Sequence, residues 1–443
     1  MQIKEDLKQA LCAAVDGRRD EIFAIGTTIE RHPERGFQER KTAALVASEF
    51  KAMGLPYREG LAVTGVKARL VGARPGPTVA FLGELDAVLS PQHPQADPET
   101  GAAHACGHNG QVAAMLGAAM ALLGSKAMEH LAGNVVLFAV PAEENVDMAH
   151  WRGLREAGKV EFLLGKQELI RLGEFDDVDM SLLVHESPRP EEKRAGAQYS
   201  SNGTIHKTIE FLGRASDAAP KPHLGINALN AAAITLHAVH AQRETFRDDD
   251  CVRINPILTR GGNSVSWVPA ETRIETTIRA KTVEALDDAD AKVDRSARAG
   301  GVATGASVRI TTMPGISPLM NHRGLMEIYR QNCLPLIGGE LQWTEGIHRR
   351  GGSDMGDLSL IMPTLQSYTG GVRGESHGAD HEVFDPDLFY LNPAKAMAMT
   401  VVDLLYDDAR EARALLADWK PRFTRDSYVD WMRRRFRVEE FQG

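Results

Sequence analysis

Five short segments hold most of the residues able to do chemistry. They are Gly83-Glu84-Leu85-Asp86-Ala87, His104-Ala105-Cys106-Gly107-His108-Asn109-Gly110, Pro141-Ala142-Glu143-Glu144-Asn145, Val184-His185-Glu186 and Glu375-Ser376-His377-Gly378-Ala379-Asp380-His381. Carboxylates, imidazoles and a thiol are the donors that bind divalent ions. Cys106 and His108, two apart, would point to opposite sides of a helix, but from an extended loop they can face one ion. A thiolate at a helix start has a lowered pKa, which suits ligation. Neighbouring glutamates in extended chain point opposite ways, so one of Glu143 and Glu144 can bind metal while the other contacts a water. Zinc takes about four N, S or O ligands and keeps a position open for catalysis. Five good candidates exceed one such sphere. They suit two ions about 3.5–4 Å apart that share a bridging ligand and a water.

These segments must be positioned by the elements around them. The apolar runs TVAFLGEL (78–85), NVVLFAV (134–140) and DMSLLV (179–184) read as buried parallel strands. The Ala-rich stretch 111–124 reads as a buried helix between the first two. That is βαβ logic and predicts an open α/β sheet. Four of the five segments follow a predicted strand or open a helix, and sites in such sheets form outside the carboxyl ends of the strands. Helices are predicted over 3–32 and 40–53 before the sheet begins. Near residue 200 the pattern changes. A strand at 204–213, a helix at about 226–244, strands at 252–260 and 264–282, a helix at 283–298 and a strand at 307–314 give the order β-α-β-β-α-β. This is the order of a ferredoxin-like sandwich. The α/β pattern resumes after about 318, so the sandwich is predicted to be an insertion. The expected division is 1–200 plus 318–443 for the first domain and 201–317 for the second. Residues 411–443 form a charged tail.

The chain has 443 residues, enough for two domains. Hydrophobic residues make up 43% and charged residues 25%, a globular composition. A net charge of −9 argues against nucleic-acid and anionic-membrane partners, which the field of the chain would not attract. The four cysteines (Cys12, Cys106, Cys251 and Cys333) are scattered, which suggests a reducing compartment and a cytoplasmic location. The N-terminus lacks a continuous apolar stretch, so no secretory signal is expected, and no run is long enough to predict a membrane span.

Taken together, GELDA (83–87), HACGHNGQ (104–111), VPAEE (140–144), FLGRASDAAPKPHLGINAL (211–229), GGSDMGDLS (351–359), SHGADHEVFDP (376–386) and NPAKAMAMT (392–400) resemble the M20 metallopeptidase family. The resemblance is to the branch of p-aminobenzoyl-glutamate hydrolases and indole-acetyl-amino-acid hydrolases, and it runs from about 20 to 405. It implies a catalytic, doubly wound α/β domain with an inserted ferredoxin-like α+β lid that mediates homodimerisation. It implies two divalent ions, Zn²⁺ or Mn²⁺, with Cys106 as the bridging ligand and His108, Glu144, His185 and His377 as the others. His381 is the rival for the last place. Glu143 matches the general base that activates the water and then protonates the leaving amine, and Asp86 matches a carboxylate that orients the site. The implied substrate is an N-acyl or N-aroyl amino acid.

The lid departs from the family. Relatives read Ser-His-Ala where this chain has Ser216-Asp217-Ala218, and they often carry Asn where Ser266 precedes Trp267-Val268-Pro269. An aspartate would repel a developing oxyanion, and losing one oxyanion donor costs about a hundred- to a thousand-fold in rate. Asp217, Asn227, Arg253 and Ser266 are therefore the residues expected to meet substrate and set its type. Two alternatives stand beside the amidohydrolase. One is a weakly catalytic or non-catalytic binding subunit. The other is a dipeptidase or carboxypeptidase in which Arg253, Arg260 or Lys221 binds a free carboxylate.

Overall fold

The computed structural model describes residues 2–144, 147–189 and 193–443; Asn145, the last residue of the third segment, lies outside the described residues. The chain divides into two compact units. The first contains Met1–Tyr199, Met320–Ile347 and Asp357–Arg425. The second contains Ser200–Leu319, His348–Gly356 and Asp426–Gly443.

The first unit is built on one mixed sheet. Its strands are β1 (Tyr57–Leu61), β2 (Gly65–Val71), β3 (Arg74–Glu84), β4 (Ala132–Val140), β5 (Met180–Glu186), β6 (Ala195–Ala197), β7 (Trp343–Glu345) and β8 (Thr364–Thr369). Their order across the sheet is β1-β2-β4-β3-β5-β8-β6-β7. The central four, β4-β3-β5-β8, are parallel. They are buried almost throughout, as continuous apolar runs of a parallel sheet must be. Glu84 stands opposite Val140, and Glu186 opposite Thr369, so the carboxyl ends of neighbouring strands are level. The helix His108–Gly124 is apolar on every side and buried along nearly its whole length. It packs with the helix Asn392–Asp418 in the core of this unit. The predicted N-terminal helix is two helices, Gln2–Asp16 and Arg19–Glu30, broken at Gly17 and Arg18. Among the described residues, no helix is long and apolar enough to cross a membrane.

The second unit carries the β-α-β-β-α-β order. Its strands Gly203–Leu212, Arg253–Arg260, Glu271–Ala280 and Ser307–Pro314 form one antiparallel sheet, with helices Ala228–Ala241 and Val283–Thr304 packed on it. Residues 264–269, expected to be strand, form a loop ahead of Glu271.

The unit boundary differs from the expected one at the C-terminus. Residues 426–443, assigned from sequence to the first domain, belong to the second unit. The strand Arg437–Phe441 pairs with Ser307–Pro314 and satisfies that strand's open edge. Arg437 also meets Asp290 at 2.5 Å and Asp294 at 2.7 Å, beside the buried ammonium of Lys207. Residues 348–356 join the same unit.

Candidate metal centre

All five segments lie in the first unit, and those at 83–87, 141–144 and 184–186 stand at the carboxyl ends of the parallel strands β3, β4 and β5. β3 ends at Glu84, and Leu85 donates its N–H to Val140 O at 2.9 Å, which carries the chain over the end of β4 to Asp86. Asp86 Oδ2 accepts the N–H of Glu144 at 2.8 Å. Cys106 joins the buried helix through Gly107, which has φ +73°. A Cβ there would come within 2.4 Å of Glu186 Cγ, so only glycine lets the thiol and His108 approach the end of β5 this closely. His377 has a φ of +66°, unusual for a non-glycine residue, and its N–H is held by Ala105 O at 2.7 Å.

The side chains then converge. Cys106 Sγ lies 3.4 Å from His185 Nε2 and 3.3 Å from His377 Nε2. His377 Nε2 lies 3.3 Å from Glu144 Oε1. Three sets of donor atoms fall within 4.8 Å of one another: Cys106, His108 and His185; Cys106, Glu144 and His377; Glu84, His108 and Glu143. The first two share Cys106, as two neighbouring ions with one bridging thiolate would require. The adjacent glutamates diverge, Glu144 toward Cys106 and His377, Glu143 toward His108 and Glu84. His381 joins none of these sets; its Nε2 is 3.8 Å from Glu186 Oε1. His104 is buried outside them as well.

Two imidazoles turn Nδ1 toward backbone carbonyls. His108 Nδ1 lies 2.8 Å from Asp86 O, and His185 Nδ1 lies 2.9 Å from Glu186 O. Donating Nδ1–H to a carbonyl leaves Nε2 with its lone pair for an ion. His108 Nε2 lies 3.0 Å from Glu84 Oε2 and His108 Nδ1 lies 3.3 Å from Asp86 Oδ1, and among the described residues the buried Glu186 Oε2 has no hydrogen-bond partner. Burial and then the surrounding carboxylates of Glu144, Glu186, Glu143 and Glu84 push the Cys106 thiol well up. This reverses the expectation of a thiolate favoured by a helix start. The cause is that Cys106 is enclosed by four acidic side chains, and only a cation among them favours ionisation. Burial raises the Glu144 carboxyl, but the hydrogen bond and charge of His377 outweigh it and hold it below the usual range. A soft thiol, imidazoles and carboxylates gathered this closely are a donor set that fits divalent ions.

The four lid candidates lie in the second unit, and each has a local role there. Asn227 caps the helix Ala228–Ala241, accepting from Leu229 N at 2.9 Å and Asn230 N at 3.1 Å. Asp217 Oδ1 accepts from Ala219 N at 3.0 Å, in a turn bridged to Trp267. Ser266 is exposed and its carbonyl accepts from Ala218 N at 2.9 Å. Arg253 is exposed at the start of an edge strand, with Nη1 2.8 Å from Val252 O.

Several residues at the site carried no role in the sequence reading. Lys166 Nζ lies 2.6 Å from Glu84 Oε1, and Gln111 Nε2 lies 2.8 Å from Glu84 Oε2. Glu39 is fully buried beneath the Glu143 loop. Lys166, a lysine inside the largely apolar run 162–170, is the one that a local signal could have flagged, whereas Glu39 stands in the polar stretch 38–41.

The profile of "Peptidase family M20/M25/M40" matches residues 80–401. The chain is 26% identical to the Xaa-Arg dipeptidase of Mus musculus, over 91% of this chain and 90% of that one. It is also 26% identical to the IAA-amino acid hydrolase ILR1-like 2 of Arabidopsis thaliana, over 81% of this chain and 78% of that one. Among solved structures, a dinuclear metal-binding M20-family peptidase of Bacillus subtilis matches with a TM-score of 0.69 at 19% identity, covering 88% of this chain and 99% of that one. At that identity the likeness is one of fold.

Proposed function

Because the chain belongs to peptidase family M20/M25/M40 and is a hydrolase of amide bonds, we propose that it cleaves the amide of an N-acyl or N-aroyl amino acid. The observation that carries this reading is the pair of three-residue donor sets that meet at Cys106. Cys106, His108 and His185 would hold one divalent ion, and Cys106, Glu144 and His377 the other. Bound there, such ions supply Lewis acidity toward the amide carbonyl and lower the pKa of a water. Glu143 takes a proton from the attacking water as it adds to the carbonyl carbon. It then delivers that proton to the leaving nitrogen as the C–N bond breaks, one carboxylate acting as base and then as acid. Asp86 keeps Glu144 and His108 in place through its carboxylate and its carbonyl.

A dipeptide substrate is the second reading, favoured by the similarity to an Xaa-Arg dipeptidase over 91% of the chain. The exposed Ile257 and Leu258 on the open edge strand Arg253–Arg260 support a homodimer formed through the second unit.

The test is release of free amino acid from a panel of N-acetyl, N-benzoyl and Xaa-Arg amides, with Zn²⁺ or Mn²⁺ supplied. The wild type should cleave at least one class, and Glu143→Ala should be slower by about a hundredfold or more. Equal rates for the two proteins would reject the assignment.

A further inference from the structure

We propose that Glu39 is a positioning residue for this centre, holding the loop that presents Glu143 and Glu144. The inference rests on the two-ion reading above. Glu39 is completely buried, although it lies in the chain far from every candidate ligand. Its Oε1 accepts the N–H of Ala142 at 2.8 Å, and its Oε2 accepts the hydroxyl of Thr64 at 2.6 Å. Ala142 stands two residues beyond the end of β4 and has a φ of +49°, a conformation that L-residues rarely adopt. Such a turn persists only where its surroundings enforce it.

Glu143 is thus flanked by two backbone amides, each held by a buried carboxylate. Glu39 holds Ala142 N on one side, and Asp86 holds Glu144 N at 2.8 Å on the other. The segment that carries Glu39 wraps the same loop. A Cβ on Gly36 would meet Ala142 Cα at 3.1 Å and Glu144 O at 3.2 Å, and Glu34 O accepts Ala87 N at 2.8 Å, next to Asp86. Glu34 also ties this segment to the helix Arg40–Ala52, its carboxylate accepting from Lys41 N and Thr42 N. Burial and then the charge of Asp86 push the Glu39 carboxyl up to about 8. A side chain held this way acts through its hydrogen bonds more than its charge, so a neutral amide should replace it. Residues that orient metal ligands from behind typically change metal affinity or activity by about 10–100-fold when removed.

The experiment compares wild type, Glu39→Ala and Glu39→Gln. Zinc binding is followed by titration calorimetry of the metal-free proteins, and kcat and KM are measured on the best amide found. Glu39→Ala should bind its weaker zinc about tenfold less tightly and lose about 10–100-fold in kcat, with KM within about twofold. Glu39→Gln should stay within about threefold of wild type in both, because its amide oxygen can still accept from Ala142 N. If Glu39→Ala fails to fold, Thr64→Val loosens the same carboxylate and should give a smaller change in the same direction. Zinc affinity unchanged in the alanine variant, or the two Glu39 variants equally impaired, overturns the proposal. A wild type that takes up no zinc overturns it together with the two-ion reading. A wild type that binds zinc but cleaves no amide leaves the calorimetry to decide on Glu39 alone.

Discussion

Lys166 Nζ lies 2.6 Å from Glu84 Oε1, and neither side chain reaches solvent. Burial pushes the Glu84 carboxyl up, but the Lys166 ammonium and then His108 more than offset this and bring it down to about 2. Glu84 Oε2 is in turn 3.0 Å from His108 Nε2, so this pair sits at the nitrogen that His108 would offer to an ion. Removing one partner of a buried pair leaves an uncompensated charge and costs about 3–5 kcal/mol. Lys166→Met should therefore lower the unfolding free energy of the metal-free protein by about that amount in urea, and adding Glu84→Gln should restore part of it. A Lys166→Met protein as stable as wild type would show that the pair has little net value.

Both proposed ligand sets include Cys106, whereas His377 belongs to one. Metal analysis after dialysis against zinc should therefore separate the two positions. Cys106→Ala should retain less than one zinc per chain and His377→Ala about one, against two in the wild type. Chelation of the wild type should abolish hydrolysis, and added zinc should restore it. Two zinc ions bound by Cys106→Ala would remove the bridging role of the thiol.

Glu39 makes a pH prediction with a definite sign. In the unfolded chain its carboxyl titrates near 4.5, and in the folded one near 8. Between those values the folded protein holds a proton that the unfolded chain has released. The contribution to stability is full below about 4.5 and is lost as pH rises through 8, at no more than about 1.4 kcal/mol per pH unit. Urea unfolding of the metal-free protein at about pH 6 and about pH 8 should show a steeper loss for wild type than for Glu39→Gln. Parallel losses would mean that Glu39 is ionised throughout.

Asn227, a candidate substrate contact from the sequence, is a helix cap in the structure. Asn227→Ala should cost about 1 kcal/mol of stability in the second unit, and Asn227→Asp or Asn227→Ser much less. KM should stay within about twofold in all of them. A KM shift of tenfold in Asn227→Ser, which keeps the cap, would show a substrate role beside the cap.

Four of the five donor segments were legible in the sequence because they sit at a boundary that periodicity reveals. Glu143 and Glu144 directly follow the apolar run of β4, His185 and Glu186 close that of β5, and His108 opens a helix apolar on all sides. The β-α-β-β-α-β order of the second unit was legible for the same reason, since alternation with a period of two and the turns between runs are local properties. The tail was not, because Arg437–Phe441 is a strand only through the edge it covers. Nor were the roles of Asn227 and Asp217, whose side chains are engaged by neighbouring amides that a motif does not display.

What the amino-acid order alone determined was the inventory, a thiol, imidazoles and carboxylates placed at the ends of buried strands. Tertiary structure decided their assignment. His377 reaches Cys106 across 271 positions of sequence, Glu39 reaches Ala142 across 103, and Lys166 reaches Glu84 across 82. Residue type and spacing set which donors exist, but which of two adjacent glutamates faces the thiol, and which buried acid holds the turn beneath them, depends on contacts between distant segments that exist only once the sheet has assembled.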